Sequence, residues 1–405
     1  MKSINRYIPE KSYDYIKHTN YKNKEHLYII LDMINRITIF HKQDKDYSNN
    51  FIDIPYKYFR NIIGSCEVLT EAMDFLKNNS IIDCDGISSK DRKKAFGYKI
   101  NDDYFSKLIQ VKITKPTLTK KIISNINKEK NRVSDKYKTY KSFFLGNFKI
   151  NYLKALNYIN SNLNSSLCSH FSSQDIIKSI NKYNHQYMAI SAINDGDLFF
   201  RHNKTNGKID TNLTNLKKEL KQFISISGLV QLDISNSQPY ILSLYLNSSL
   251  CSHFLSEYFN KYKVWTEKGL FYENFSKEYF NIKNKLLSRD EVKEIMFCIF
   301  YSKNDSYRKE KEVFKTIFPT VYSVIEYEKK QKHNELAIKM QKLESEICID
   351  IICQELDKEG INYFTIHDAW VVDKFDEIKV KDIIEREFIK KYNSKPNIKI
   401  EKITK

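Results

Sequence analysis

The spacing of apolar residues divides the chain into segments of distinct period. Residues 25–42, EHLYIILDMINRITIFHK, place apolar side chains at helical intervals. IPYKYFRNIIG and EVLTEAMDFLKNNSII, from residue 54 onward, have the pattern of two short helices. IIDCDG and AFGYKI then read as strands flanking the basic loop SSKDRKK. Residues 113–139 contain Pro116 and many Lys, Asn, Ser and Thr, the composition of a linker. From about 150 to 190 the pattern is helical again, with an Asn/Ser-rich interruption. LVQLDI, residues 229–234, is a short apolar run of the kind that forms a buried strand, and it delivers Asp233 to its C-terminal edge. INYFTIHDAWVVD, residues 361–373, reads as two strands joined by a tight turn with His367 and Asp368 at the tip.

The order of helix, helix, strand and strand over residues 52–100 resembles a winged helix. A winged helix binds duplex DNA through its second helix and its wing, or it serves as a small scaffold; both readings stand. Composition favours a nucleic-acid partner. The 405 residues suffice for two or three domains, and 67 Lys and Arg against 50 Asp and Glu give a formal net charge of +17. A globular chain this basic points to a polyanion. A genome rich in Lys, Asn and Ile codons would produce the same excess. The seven cysteines are scattered singly without a CxxC pair, which fits reducing surroundings. The N-terminal MKSINRYIPEKSYDY lacks an apolar targeting core, and no apolar run approaches a membrane span. The expectation is a cytoplasmic protein with no membrane partner. The octapeptide NSSLCSHF occurs at 164–171 and again at 247–254, bringing in Cys168, His170, Cys251 and His253, but C-x-H twice is not a usual zinc spacing.

Chemistry enters with the carboxylates. Two buried strands that each end on an Asp would set both carboxylates side by side. Divalent cations between them relieve that repulsion. Two Mg²⁺ ions roughly 4 Å apart are the usual apparatus of in-line phosphoryl transfer. Between these strands lies LSRDEVKEIMFCIFYSKN, residues 287–304, where Arg289, Lys293, Phe297 and Tyr301 stand at four-residue steps. On a helix they form one slowly winding stripe. A nucleotide matches both halves of it, phosphates for the two cations and a base for the two rings.

These segments together resemble the family A polymerases, which include bacterial DNA polymerase I and the single-subunit phage and mitochondrial RNA polymerases. DISNSQPY is similar to their first palm motif, the 289–301 stripe to their fingers helix, and His367–Asp368 to their last palm motif. KTNGKIDTNLTNL, residues 204–216, is similar to the segment that grips the primer–template minor groove, with Thr205 and Lys208 in its basic loop and Lys221 as a further basic residue. AIKMQKLESEI, residues 337–347, resembles the helix whose Gln meets the primer end, here Gln341. The resemblance covers about residues 195–405 and departs from the family at Ser302 for Gly, Gln238 for the acidic residue five after the first Asp, and Ala369 for Glu.

The resemblance implies an α+β right-hand polymerase preceded by a winged-helix-like domain. The implied layout is a winged-helix-like domain over 1–112, a linker over 113–139, a helical thumb over 140–190, palm over 191–245 and 325–405, and fingers over 246–324. It implies two Mg²⁺ ions on Asp233 and Asp368, with Arg289, Lys293, Phe297, Tyr301 and Gln238 toward a nucleoside triphosphate. Lys293 is also a candidate proton donor to the leaving group, and His367 orients the hairpin tip or the primer terminus. Thr205, Lys208, Lys221, Gln341 and His367 would face a DNA primer–template. No proofreading motif is expected, since the N-terminal third lacks an Asp-x-Glu set. Three activities fit: a DNA polymerase, a primase or RNA polymerase using rNTPs, and a non-catalytic DNA-binding replication protein.

Overall fold

The structure is a computed structural model that describes residues 3–41, 51–89, 94–130, 135–169, 172–248 and 257–404. It is mixed helix and sheet and divides into two compact units. His170, Cys251 and His253 of the repeated octapeptide, and residues 90–93 of the basic loop, lie outside the described residues.

The N-terminal unit takes residues 1–132, 149–199 and 216–223. Strand β1 (Ile4–Pro9) leads to the helix Glu10–Lys17 and then the helix Lys24–His41. Strand β2 (Ile52–Asp53), helices Tyr56–Ile63 and Cys66–Asn78, strand β3 (Ile82–Cys84) and strand β4 (Gly97–Ile100) follow, and the three strands pair in the order β2-β4-β3. Strand β5 (Leu108–Ile113) returns antiparallel to β1, with Arg6 opposite Val111. Leu27, Ile30, Leu31 and Ile34 of the long helix bury against Phe59, Leu69, Met73 and Leu76. Fully burying each such side chain contributes about 1.5–3 kcal/mol.

Most of the stretch expected to be a linker is helical. Pro116–Lys130 forms a helix that buries Leu118 and Ile122 in this core and packs Ile126 against it. Pro116 stands at its first position, where a missing N–H costs nothing. Glu25 accepts hydrogen bonds from the backbone N–H groups of Thr114 and Lys115 just ahead of it. Helices Tyr152–Ser169 and Ser173–Asn194 also belong to this unit. The first runs through the Asn/Ser-rich segment because Ala155, Ile159 and Leu163 bury one face. The second is held by Asn184, whose side chain accepts from Leu108 N at 2.9 Å and donates to Ser106 O at 2.9 Å.

The C-terminal unit takes residues 133–148, 200–215 and 224–405. The helical segment expected as one thumb is therefore divided. The helix Lys138–Asn147 packs here, where Tyr140 and Phe144 bury beside Phe200, Tyr363 and Phe364. Strands β6 (Phe200–His202) and β7 (Ile209–Thr211) form a hairpin. Strands β8 (Leu229–Ile234), β9 (Tyr363–Ile366), β10 (Ala369–Asp373) and β11 (Ile398–Lys402) form a four-stranded antiparallel sheet in the order β11-β8-β10-β9. Helices Ser237–Ser248 and Glu377–Tyr392 contact each other, and the second also reaches β8. A cluster of Tyr262, Phe271, Phe275, Phe314 and Phe318 holds together the helices between residues 257 and 328. The helix Glu335–Ser345 runs into a wider π-type segment, Glu346–Ile352, and then Cys353–Lys358.

Candidate active site

The site begins at the sheet. Antiparallel pairing of β8 with β10 sets Asp233 opposite Ala369, the residue that follows Asp368. Ile366 pairs with Ala369, so His367 and Asp368 alone make the turn between β9 and β10. His367 has φ +56°, the left-handed backbone at the first loop position that a twisted two-residue hairpin demands. Both Asp residues are half-buried and His367 is exposed. Among the described residues no group of three or more His, Cys, Asp or Glu is placed to hold a metal ion. A pair of carboxylates still suits Mg²⁺, which takes one or two protein carboxylates and completes its shell with water and substrate phosphates.

The helix Arg289–Tyr301 carries the predicted stripe. Ser288 accepts from Glu291 N while the Glu291 carboxylate accepts from Ser288 N, a reciprocal cap that fixes where the helix starts. Val292, Met296, Ile299 and Phe300 bury the adjoining face. Arg289 donates to Glu273 and, at 3.2 Å, to Oδ1 of Asn236, and its guanidinium lies 4.9 Å from the Tyr272 ring centre. Lys293 is half-exposed and meets only the solvated Asp290, at 3.2 Å, among its described ion-pair partners. Phe297 is 58% exposed and its ring centre lies 5.4 Å from that of Tyr301. An exposed aromatic beside a second ring is a ready stacking platform.

Tyr301 leads inward. Its hydroxyl donates to Oε1 of Gln238. Nε2 of Gln238 donates to Oε2 of Glu344 at 2.9 Å, and Lys208 Nζ pairs with Oε1 of the same carboxylate at 2.6 Å. Four side chains from four separate segments thus form one chain, and Glu344 at its centre is 1% exposed. Burial raises the Glu344 carboxyl above its usual range; Lys208 opposes the shift and Asp368 adds to it. Burial also raises the Tyr301 hydroxyl, with Glu344, Tyr272 and Asp368 contributing. Burial pushes the Tyr272 hydroxyl up to about 12, against the pull of Arg289. Asp368 therefore shares one electrostatic neighbourhood with Tyr272, Tyr301 and Glu344.

Thr205 and Lys208 lie in the loop closing the β6–β7 hairpin, where Asn203 N donates to Lys208 O at 2.8 Å. Gly207 has φ +75°, and a Cβ there would stand 2.6 Å from Oγ of Ser345. The loop thus seats closely on the Glu335–Ser345 helix, which carries a half-buried Gln341. A cleft of about 460 Å³ beside this contact is lined by Lys136, Lys204, Lys342 and His202, with Glu346 and Asp350. Lys221 belongs to the N-terminal unit, in the short turn Lys218–Phe223. Glu344, Tyr272, Glu273 and Asn236 are the site residues that sequence reading missed. No sequence signal marks Glu344, which stands in the mixed polar run QKLESEI.

No protein-family model matches the chain, and no curated protein matches it. Among solved structures, it is similar to the polymerase domain of Pol1 from M. smegmatis, determined with a DNA primer–template and dNTP, at 10% identity and a TM-score of 0.48, over 70% of this chain and 72% of that one. The reading of the site rests on its own geometry.

Proposed function

We propose that the chain is a template-directed nucleotidyltransferase, a compact DNA polymerase that joins dNTPs to a primer 3′-hydroxyl. The observation that carries this reading is the pairing of β8 with β10, which puts Asp233 across from the residue after Asp368. Asp233 and Asp368 would hold two Mg²⁺ ions, which activate the hydroxyl and neutralise triphosphate charge.

The protein's own groups do the rest. Arg289, anchored by Glu273 and Asn236, keeps further N–H groups for phosphate oxygens. Lys293, held by one solvated Asp, is free to swing toward a triphosphate and to donate a proton to its leaving group. Phe297 offers a face to the incoming base. Gln238, bonded to Tyr301, fills the space beside the sugar and excludes a 2′-hydroxyl by size. The hairpin loop at Lys208, with Thr205, and the helix of Gln341 grip the primer–template, and His367 steadies its end. In this scheme residues 200–215, 224–248 and 325–404 act as palm, and the helices between residues 257 and 324 as fingers.

The N-terminal unit follows a winged-helix order. The outward face of its second helix, Cys66–Asn78, carries Glu67 and Glu71, while Lys57 and Arg60 are exposed on the helix before it. Phosphate contact through Tyr56–Ile63 is therefore electrostatically better than entry of the acidic helix into a groove.

Primer extension with separate dNTP and rNTP pools tests the proposal. Template-directed dNTP incorporation is expected. Better incorporation of rNTPs would make the chain a primase or RNA polymerase, and no incorporation from either pool would make it a non-catalytic DNA-binding protein.

A further inference from the structure

Gln238 is an amide with two ends of nearly equal size and opposite polarity, and its surroundings decide which end faces which neighbour. Tyr301 is indifferent, because a hydroxyl both donates and accepts. Glu344 is not. An ionised carboxylate only accepts, so it draws Nε2 of Gln238 to itself, at 2.9 Å, and turns Oε1 toward Tyr301. Lys208 holds the other carboxylate oxygen at 2.6 Å and supports the charge of this buried group. Glu344 hydrogen-bonds Gln238 directly, and Gln238 in turn meets Tyr301, so the effect of Glu344 on the sugar side of the site runs through Gln238.

We propose that Glu344 is a positioning residue that fixes the polarity of the Gln238 amide and thereby sets the sugar discrimination of the site. The inference rests on the nucleotidyltransferase reading and deepens it. With the donor end held by Glu344, Gln238 shows Tyr301 and the sugar an acceptor. It thus mimics the carboxylate that the resemblance places at this position. With Glu344 neutralised, the amide is free to turn. Its N–H group then reaches the sugar side and offers a 2′-hydroxyl a partner that offsets the steric clash.

The test compares four proteins in primer extension: wild type, Glu344→Gln, Gln238→Glu, and the double variant. The reading is the ratio of kcat/KM for dNTP to that for rNTP. Glu344→Gln is expected to lower the ratio by about tenfold, the worth of one charge-assisted hydrogen bond, chiefly by lowering KM for rNTP. Gln238→Glu alone puts two carboxylates in contact and is expected to lower dNTP kcat/KM by more than about tenfold. The double variant exchanges amide and carboxylate between the two positions. It is expected to bring dNTP kcat/KM back to within about threefold of wild type, a coupling that a merely structural Glu344 would not produce. An active wild type with an unchanged ratio in Glu344→Gln, or no recovery in the double variant, overturns the inference. If Glu344→Gln does not fold, the exchange variant decides. A wild type that extends no primer from either pool overturns the nucleotidyltransferase reading instead.

Discussion

Asp233 and Ala369 are paired partners on adjacent antiparallel strands, and Ala369 directly follows Asp368 at the hairpin tip. That pairing leads to the first prediction. Asp233→Asn and Asp368→Asn keep side-chain shape and remove the charge a cation requires. Each is expected to lower nucleotide incorporation by about three orders of magnitude or more while primer–template binding persists. Robust extension by either variant at saturating Mg²⁺ would remove these residues from the metal site.

Lys293 is half-exposed and paired with a solvated Asp, so its removal leaves the helix intact. Lys293→Ala is expected to cut kcat by about a hundredfold, with primer–template affinity within about twofold of wild type. Single-turnover incorporation alongside a DNA-binding titration separates the two. Weakened DNA binding at an unchanged rate would assign this helix to the template.

The net charge of +17 carries a measurable consequence if it serves phosphate contact. With about six phosphates neutralised, primer–template affinity should fall by roughly three orders of magnitude between about 50 and 200 mM salt. Binding that is flat across this range would make the charge a matter of codon usage.

Lys329 is buried, with its ammonium 2.6 Å from the carbonyl oxygen of Ile299 in the last turn of the Arg289–Tyr301 helix. Burial, aided by Lys311, lowers it from the ordinary 10.5 to about 8. Between those values the unfolded chain binds a proton at Lys329 that the folded chain lacks, so the contribution of this group to stability rises with pH across the window. From pH 8 to about 9.5 the contribution of this one group rises by on the order of 2 kcal/mol. Against it stand the buried thiols of Cys348 and Cys353, which burial pushes up and which withdraw stability as the unfolded chain's thiols ionise. Thermal unfolding across this range reads the slope, and Lys329→Met should remove this group's share of it. A difference between wild type and Lys329→Met that does not change with pH over this range would contradict the assignment.

What the sequence made legible was local. LVQLDI and the INYFTIHDAWVVD hairpin were readable because β-branched and aromatic runs of strand length are bounded by turns. The stripe from Arg289 to Tyr301 was readable because helical spacing puts four-residue steps on one face. The helix Pro116–Lys130 was not, because Leu118, Ile122 and Ile126 are thinned among Lys, Asn and Thr, and Pro116 begins the helix instead of breaking it. Strands β1 and β5 escaped notice because each is stabilised by a partner roughly a hundred residues away. Glu344 was invisible as a site residue for the same reason. Its meaning comes from Lys208 and Gln238, which only tertiary folding brings to it. Residues 140–190 fall partly in each compact unit, a division that helical periodicity does not reveal, because it reports a buried face without reporting what covers it.

The strand order β11-β8-β10-β9 also has a kinetic side. Strand β8, which bears Asp233, takes both of its neighbours from segments roughly 130 or more residues further along the chain. Closing such loops costs chain entropy before any ladder bond returns it. The β9–β10 hairpin closes through two residues and forms on its own timescale, microseconds for a local hairpin. During refolding, His367 and Asp368 should gain hydrogen-exchange protection for their turn well before Asp233 acquires a strand on either side. Until then β8 is an apolar strand with two open edges, the species most prone to pair with another molecule.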